Sequence, residues 1–270
     1  MNSKEIITIQ RLDQADLGQV GQIADLYAKV FAGPPWNEAT RCPTTSSFYG
    51  EETQVGSLCP DCRAPLLEAY PKDETVRYIL SELGKTNPIG LLAFVNSELA
   101  GFSWGYQTRL DDLVSTSKWK TPEMRSIVKD LLTSYGARDN LFYGSETGMD
   151  PKYRGKGLGK TLVNARFKEI IDSGENYALV RTNVNSAMYG IIKGGRSKGL
   201  DGFFQILGPI SSQNFFTGKW SIKKRSGKTI YSNNIVDQEK PERVLFLFDK
   251  SLYNRIQNEP TPGQLMTGGW

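Results

Sequence analysis

The stretch "MDPKYRGKGLGKTLVNARF", residues 149–167, holds the parts of three anion-binding loops, and which of them is complete decides the fold. As a Walker loop, Gly155 to Thr161 reads GxxxGKT, one residue short of GxxxxGKS/T. The missing residue matters, because successive backbone N–H groups must encircle a phosphate while the lysine reaches over it. No apolar run ending in Asp clearly serves as the magnesium-holding partner strand. As a dinucleotide fingerprint, Gly155, Gly157 and Gly159 give GxGxG, with Lys160 where the third glycine belongs. That fingerprint opens the first βα unit and is followed about 20 residues later by an acidic residue. Here the loop lies past mid-chain, and the next strand-like run ends in Arg181-Thr182-Asn183. As a shorter pyrophosphate loop led by an arginine, Arg154-Gly155-Lys156-Gly157-Leu158-Gly159 lacks nothing.

The third reading also agrees with its surroundings. "NLFYGSETGM" (140–149) is strand-like, and its last part contains Gly144 and Gly148. Those residues let the strand end splay from a neighbour and expose backbone groups, with which an amide-rich ligand arm can pair as an added strand. The turn from Arg154 to Gly159 aims several N–H groups at one point, and a helix starting near Leu158 adds its positive end. Arg154, Lys156 and Lys160 supply cationic side chains around that point.

Outward from the loop, strands and helices alternate. "EIITIQR" (5–11) has the apolar–polar alternation of a half-buried strand. Residues 14–32 place Leu17, Val20, Ile23, Ala24, Tyr27, Val30 and Phe31 on one helical face. "GPPW" (33–36) stops that helix, since two prolines after a glycine cannot continue it. Residues 37–71 are turn-rich and aperiodic, and "DETVRYILSELG" (73–84) reads as a helix closed by Gly84. A β-hairpin follows at 89–107, then a helix at 121–136 begun by Thr121-Pro122. After the loop come a helix at 159–174 with Leu162, Val163, Phe167, Ile170 and Ile171 inward, a strand at 177–183, a short helix at 185–195, and strands at 202–208 and 243–250. A polar insertion, 209–242, includes "SIKKRSGK" (221–228), read as a solvated loop, and the tail 256–270 is expected to be mobile. This order predicts one α/β domain over residues 1–255 with a mixed sheet.

The 270 residues suffice for a sizeable core, and 39% hydrophobic with 23% charged residues is a globular balance. A net charge of +4 from scattered basic residues suits an anionic small ligand; nucleic acid would call for a basic stripe. No apolar run reaches the roughly 18 residues of a membrane span, and the start lacks the apolar core of a signal peptide. The expectation is a cytoplasmic protein that binds neither nucleic acid nor membrane. A histidine count of 0 removes Ser-His-Asp and Cys-His catalysis and every His-ligated metal site. Any general base is then a carboxylate, Tyr, Lys, Cys or relayed water.

"MDPKYRGKGLGKTLV" resembles the acetyl-CoA signature of the GNAT superfamily of N-acetyltransferases, Q/R-x-x-G-x-G/A after the fourth strand. Arg154, Gly157 and Gly159 hold the signature positions, and Asp150-Pro151 the polar-Pro turn before them. The likeness spans roughly residues 5–210 and is sharpest at 149–163. It implies a mostly antiparallel sheet flanked by helices, with acetyl-CoA as cosubstrate. Met149, Arg154, Gly155, Lys156, Gly157, Leu158, Gly159, Lys160 and Asn185 would bind it, the Met149 amide facing the thioester carbonyl. It also implies a primary amine acceptor, small molecule or peptide, that attacks directly with no covalent enzyme intermediate. The segment after the first helix would shape the acceptor side, which makes Trp36, Tyr70, Trp104 and Tyr106 candidates for its wall.

For the base, Glu146 is the only carboxylate in the strand before the loop, although alternation sets it on the opposite face from Met149. Asp111 and Asp112 are reserves. Members of the family carry a Tyr on the last helix that protonates the departing thiolate. Aligning Asn185 with N-x-x-A-x-x-L-Y puts Ile192 at that place, so this chain departs from the pattern. Tyr189, one turn earlier, substitutes only if the helix is shifted; otherwise it packs in the core. An acyl-CoA-binding sensor or scaffold without turnover stays open as the alternative. The oligomeric state, a homodimer included, is also open.

Cys42, Cys59 and Cys62 are all the cysteines, and an odd number without a secretory signal argues against a disulfide framework. Cys59-Pro60-Asp61-Cys62 has zinc-knuckle spacing, and Cys42-Pro43-Thr44-Thr45 is the same pattern with threonine as its last residue. Two readings follow: a zinc-ribbon-like insertion over 37–71 holding a structural zinc one ligand short, or a metal-free loop with three thiols. In the first, the fourth position falls to Glu51, Glu52, Asp61 or water.

Overall fold

The computed structural model describes residues 5–116, 122–193, 204–208, 215–218, 222–223, 229–231, 234–237 and 243–251. The expected helix start at Thr121, the helix end at 194–195, the strand start at 202–203, most of 209–242 and the tail 256–270 lie outside these residues. The elements in chain order are β1 (Ile7–Arg11), α1 (Leu17–Ala32), β2 (Thr40–Arg41), β3 (Phe48–Tyr49), β4 (Leu67–Glu68), α2 (Lys72–Leu83), β5 (Ile89–Val95), β6 (Glu98–Arg109), α3 (Leu110–Val114) and α4 (Pro122–Ser134). They continue with β7 (Asn140–Met149), α5 (Leu158–Asp172), β8 (Tyr177–Asn183), α6 (Ala187–Lys193), β9 (Phe204–Gly208), β10 (Phe215–Gly218), β11 (Ile222–Lys223), β12 (Thr229–Tyr231), β13 (Asn234–Asp237) and β14 (Arg243–Asp249).

The alternating strands need cover on both faces, and they gain it by joining into one sheet in the order β1-β5-β6-β7-β8-β14-β9. Only β7 and β8 run parallel, joined through α5; all other pairs in that sheet are antiparallel. The fold is therefore the expected mixed, mostly antiparallel α/β sheet flanked by helices. On one face α1 and α2 bury Ile23, Tyr27, Phe31 and Ile79 against Phe102 and Trp104. On the other, α5 buries Leu162, Val163, Phe167 and Ile170 against Phe142, Val180 and Phe246. A third cluster lies under α3 and α4, with Leu131 and Leu132 against Leu141, Leu179 and Leu245. Each such fully buried Leu, Ile or Phe side chain contributes about 1.5–3 kcal/mol over its exposed state.

The differences from expectation have simple causes. Leu17 belongs to the periodic face but is the first residue of α1 and is 63% exposed. Strands of two residues, and a five-residue α3, are too short to carry a period. Residues 37–71 thus contain a three-stranded sheet, β3-β2-β4, and the described part of 209–242 forms two ladders, β10 with β13 and β11 with β12.

Two irregularities in β7 position the site. The ladder between β7 and β8 covers only Phe142–Gly144 against Ala178–Val180, while β7 stays paired with β6 as far as Met149 opposite Gly101. From Ser145 onward β7 has therefore left β8, and a gap opens in the sheet. The second is a bulge: Gly144 faces Gly105 and Glu146 faces Trp104, so Ser145 is an extra residue. Consecutive residues Ser145 and Glu146 both point to the α2 face, the first donating to Glu82 and the second accepting from Tyr78. Thr147 returns to the α5 face, where it bonds Arg166.

Candidate active site

The glycine loop forms as its sequence dictates. Asp150 caps the turn at Pro151–Tyr153 by accepting from the Lys152 N–H at 2.9 Å, and it pairs with Lys29 at 2.8 Å. Gly155 and Gly157 then take φ of 78° and 81°, a left-handed conformation that side-chain-bearing residues rarely adopt. Gly157 is the residue before the first turn of α5, so the chain turns directly into the helix and its leading N–H groups face outward. A Cβ at Gly155 or Gly157 would meet nothing within 4 Å, which leaves a cradle open over the helix end. A bound pyrophosphate fits such a cradle, with N–H donors and a helix dipole of the right sign.

The gap in the sheet leads from that cradle inward. Asp150 N–H donates to the Ala100 carbonyl at 2.9 Å, so antiparallel alternation turns the Met149 backbone N–H and C=O away from β6 and toward the gap. The Met149 carbonyl accepts from Arg154 Nε at 3.1 Å, and Arg154 Nη2 donates to the Val30 carbonyl at 3.3 Å. Arg154 thus bridges α1, the end of β7 and the loop.

Past Met149 the gap widens into a cavity of about 430 Å³, within the range of small-ligand sites. Met149, Arg154, Gly159 and Asn185 line one half. Tyr27, Phe31, Trp36, Glu38, Tyr70, Tyr78 and Glu146 line the other. Glu146 accepts a hydrogen bond from the Tyr78 hydroxyl at 2.8 Å. Burial first, and then the negative charge of Glu146, push Tyr78 and Tyr27 well above the ordinary tyrosine value, so both hydroxyls stay protonated. Glu38, only 6% exposed, accepts from the Tyr70 hydroxyl. Tyr27 stacks on Phe102 at 5.7 Å and meets Tyr70 edge-on at 5.0 Å.

Arg166 anchors the bulge from the α5 face. Its Nη1 donates to the Trp104 carbonyl at 3.1 Å, the Glu146 carbonyl at 3.2 Å and the Thr147 hydroxyl at 3.1 Å. Burial lowers it to about 10, with Glu146 pulling the other way, so at neutral pH it remains a buried cation held largely by backbone dipoles.

The expected residues fall into three groups. Glu146, Met149, Arg154, Gly159 and Asn185 meet at one cavity, while Gly155, Lys156, Gly157, Leu158 and Lys160 form the loop and first helical turn beside it. Lys156 turns away to pair with Glu5 at 2.8 Å, and the Leu158 side chain is buried in the core, leaving its backbone to the loop. Tyr189 is not brought to the cavity. Its ring packs 5.7 Å from Phe246, and from α6 Ala187, Met188 and Ile191 face the cavity instead. Ile192 is buried with Tyr189 in the same core. Of the four aromatics, Trp36 and Tyr70 line the wall, whereas Trp104 is core beneath Tyr27 and Tyr106 packs on Tyr143 at the far cluster. Asp111 pairs with Lys129 at 2.6 Å on α3, and neither it nor Asp112 lines the cavity.

Sequence reasoning missed Glu38, Tyr78 and Arg166. Only Arg166 carried a signal: it stands on the inward face of α5 between Val163 and Ile170, where a cation needs a reason to be.

The three thiols also converge. Their sulfurs all lie within 4.8 Å of one another, with Cys42 and Cys62 at 3.3 Å. Among the described residues no helix is long and apolar enough to cross a membrane.

No family model and no curated protein matches this chain. Solved structures do align with it. A Drosophila melanogaster polyamine N-acetyltransferase is 12% identical, covering 90% of this chain and 100% of that one, with a TM-score of 0.49. An acetyltransferase of the GNAT family from Streptococcus pneumoniae is 15% identical, covering 90% and 98%, with a TM-score of 0.41. A PaiA N-acetyltransferase from Thermoplasma acidophilum in complex with coenzyme A is 14% identical, covering 90% and 99%, with a TM-score of 0.41. With identities and TM-scores this low, these likenesses transfer neither a family nor any residue's role to this chain.

Proposed function

We propose that the protein is an N-acetyltransferase that moves an acetyl group from acetyl-CoA to a primary amine. One observation carries the reading: the β7–β8 ladder ends at Gly144 and Val180, and the cavity opened there is lined by Met149, Arg154 and Gly159, which adjoin the open glycine cradle, and by Glu146. An extended amide arm pairs along such a strand edge while its pyrophosphate sits on the helix end.

Acetyl-CoA supplies an activated acetyl thioester; the rest is the work of the chain. The first-turn amides of α5 and Arg154 hold the diphosphate, and the Met149 N–H, turned into the gap, holds the thioester carbonyl and receives its developing negative charge. An alkylammonium, with an ordinary value near roughly 10, must lose a proton before its nitrogen can attack. Glu146 is placed to take that proton, and the Tyr78 hydroxyl fixes the carboxylate's direction. The nitrogen forms its bond to the carbonyl carbon as the carbon–sulfur bond breaks, and the thiolate leaves to be protonated. The wall of Tyr27, Trp36 and Tyr70 with Glu38 favours a cationic acceptor, since aromatic faces and a carboxylate both attract ammonium groups.

Incubation of the purified chain with acetyl-CoA and a panel of small and peptide amines, followed by thiol release, tests the reading. Release with at least one amine is expected. Coenzyme A binding with no release on any amine would instead support an acyl-CoA sensor, a reading favoured by the absence of any α6 tyrosine among the residues lining the cavity.

A further inference from the structure

The insertion repeats one backbone motif twice. In the first copy Cys42 N–H donates to the Ser47 carbonyl at 2.9 Å and Ser46 N–H to the Cys42 carbonyl at 2.9 Å. In the second, Cys59 N–H donates to the Ala64 carbonyl at 2.8 Å and Arg63 N–H to the Cys59 carbonyl at 2.9 Å. Ser46 and Arg63, each four residues after its cysteine, are both left-handed, with φ of 59° and 64°. The N–H groups of Thr44 and Thr45 face the Cys42 sulfur just as those of Asp61 and Cys62 face the Cys59 sulfur. The two turns thus repeat one conformation, in which Thr45 corresponds to Cys62.

Apart from backbone pairing, little apolar burial holds this segment together. Its buried cluster consists of Cys42, Cys59 and Leu66, while Phe48, Val55, Leu58 and Leu67 are 40–61% exposed. A unit of this size below about 40 residues ordinarily needs a metal or disulfides. The segment's ends matter to the cavity. Thr40 pairs with Glu68, and Ala69 N–H donates to the Ala39 carbonyl at 3.2 Å, which sets Glu38 and Tyr70 side by side on the wall.

We propose that Cys42, Cys59 and Cys62 bind one zinc ion as three thiolates, with Thr45 at the corner a fourth cysteine would fill, and that the ion fixes the insertion carrying Glu38 and Tyr70. Zinc suits the donors: thiolates select it over hard cations, and tetrahedral bonds of about 2.3 Å put sulfurs about 3.8 Å apart. The 3.3 Å separation of Cys42 and Cys62 and the 4.8 Å limit for all three bracket that spacing. The Tyr49 hydroxyl, 3.1 Å from Cys59 and 3.0 Å from Asp61, supplies an outer hydrogen bond of the kind that orients a ligand. The metal site stands independently of the acetyl-transfer reading.

The test is metal analysis of the full chain purified under reducing conditions without chelator. About one zinc per chain is expected, with cobalt replacing it to give thiolate charge-transfer bands in the near ultraviolet. Cys59→Ser should lose the metal, and Thr45→Cys, which completes a four-thiolate set, should slow zinc loss to a chelator at least about tenfold. Less than about 0.2 zinc per chain that added zinc does not restore would overturn the site, as would a Cys42–Cys62 disulfide in the reduced protein's mass. Should Cys59→Ser fail to fold, the cobalt spectrum of the unaltered chain and the Thr45→Cys comparison still decide, and unchanged retention in Thr45→Cys would reject the assigned corner.

Discussion

The two halves of the cavity are built in opposite ways. The half toward the glycine loop, proposed for the acetyl donor, is mostly backbone from one continuous run, Met149 to Lys160, in which a capped turn, two left-handed glycines and a helix start follow one another. The other half, proposed for the acceptor, is mostly side chain, drawn from α1, the turn after it, the end of the insertion, α2 and the bulge of β7. Backbone sites need few residue types in a fixed order; side-chain sites need only that distant residues arrive together. The first should therefore be the more constrained in sequence, as the proposed function requires of a half that binds a constant cosubstrate.

That contrast can be broken at several points. Glu146→Gln should cause the largest loss, cutting the acetyl-transfer rate about 10²–10⁴-fold while coenzyme A affinity stays level, as read by steady-state kinetics and calorimetry. An unchanged rate would remove Glu146 from the role of base. Arg166→Leu strands the Trp104 and Glu146 carbonyls and should cost about 3 kcal/mol in denaturant unfolding; full stability would mean those carbonyls have other partners. Arg154→Ala should weaken coenzyme A binding by about 1–3 kcal/mol and leave the acceptor KM alone, a split that separates the two halves. Glu38→Gln should act in the reverse sense and least, raising the acceptor KM about fivefold, or about 1 kcal/mol, for diamines with no change in coenzyme A affinity.

The same contrast explains what could be read in advance. The sheet, its flanking helices and the loop were legible because each rests on a period or a fixed local spacing, as in α5, where both the glycine start and the apolar face are contiguous. Glu146 was legible as the lone carboxylate of its strand, and alternation set it opposite Met149, as found; the face of Ser145 was not legible. Plain alternation says nothing of the bulge that sets Ser145 and Glu146 on one side. Glu38 and Tyr78 were invisible because nothing local marks them; they matter through a Tyr70 hydroxyl 32 positions away and a carboxylate 68 positions away. Tyr189 shows the converse: a residue type suited to acid chemistry packs in the core, the alternative its spacing had left open.

The bulge has a consequence for descent. An extra residue in β7 bulges the ladder beside Trp104 and Glu146, and Arg166 donates to both of their carbonyls. Deleting Ser145 would close the bulge and take acceptors from a buried cation, while losing the arginine would leave two buried acceptors bare. Neither change is tolerable alone, so the insertion in the strand and the arginine on the helix, 21 positions apart, must be gained and lost as a pair. Among relatives of this chain the two should co-vary: an alignment in which the arginine persists without the extra residue would show that some other acceptor had taken the carbonyls' place.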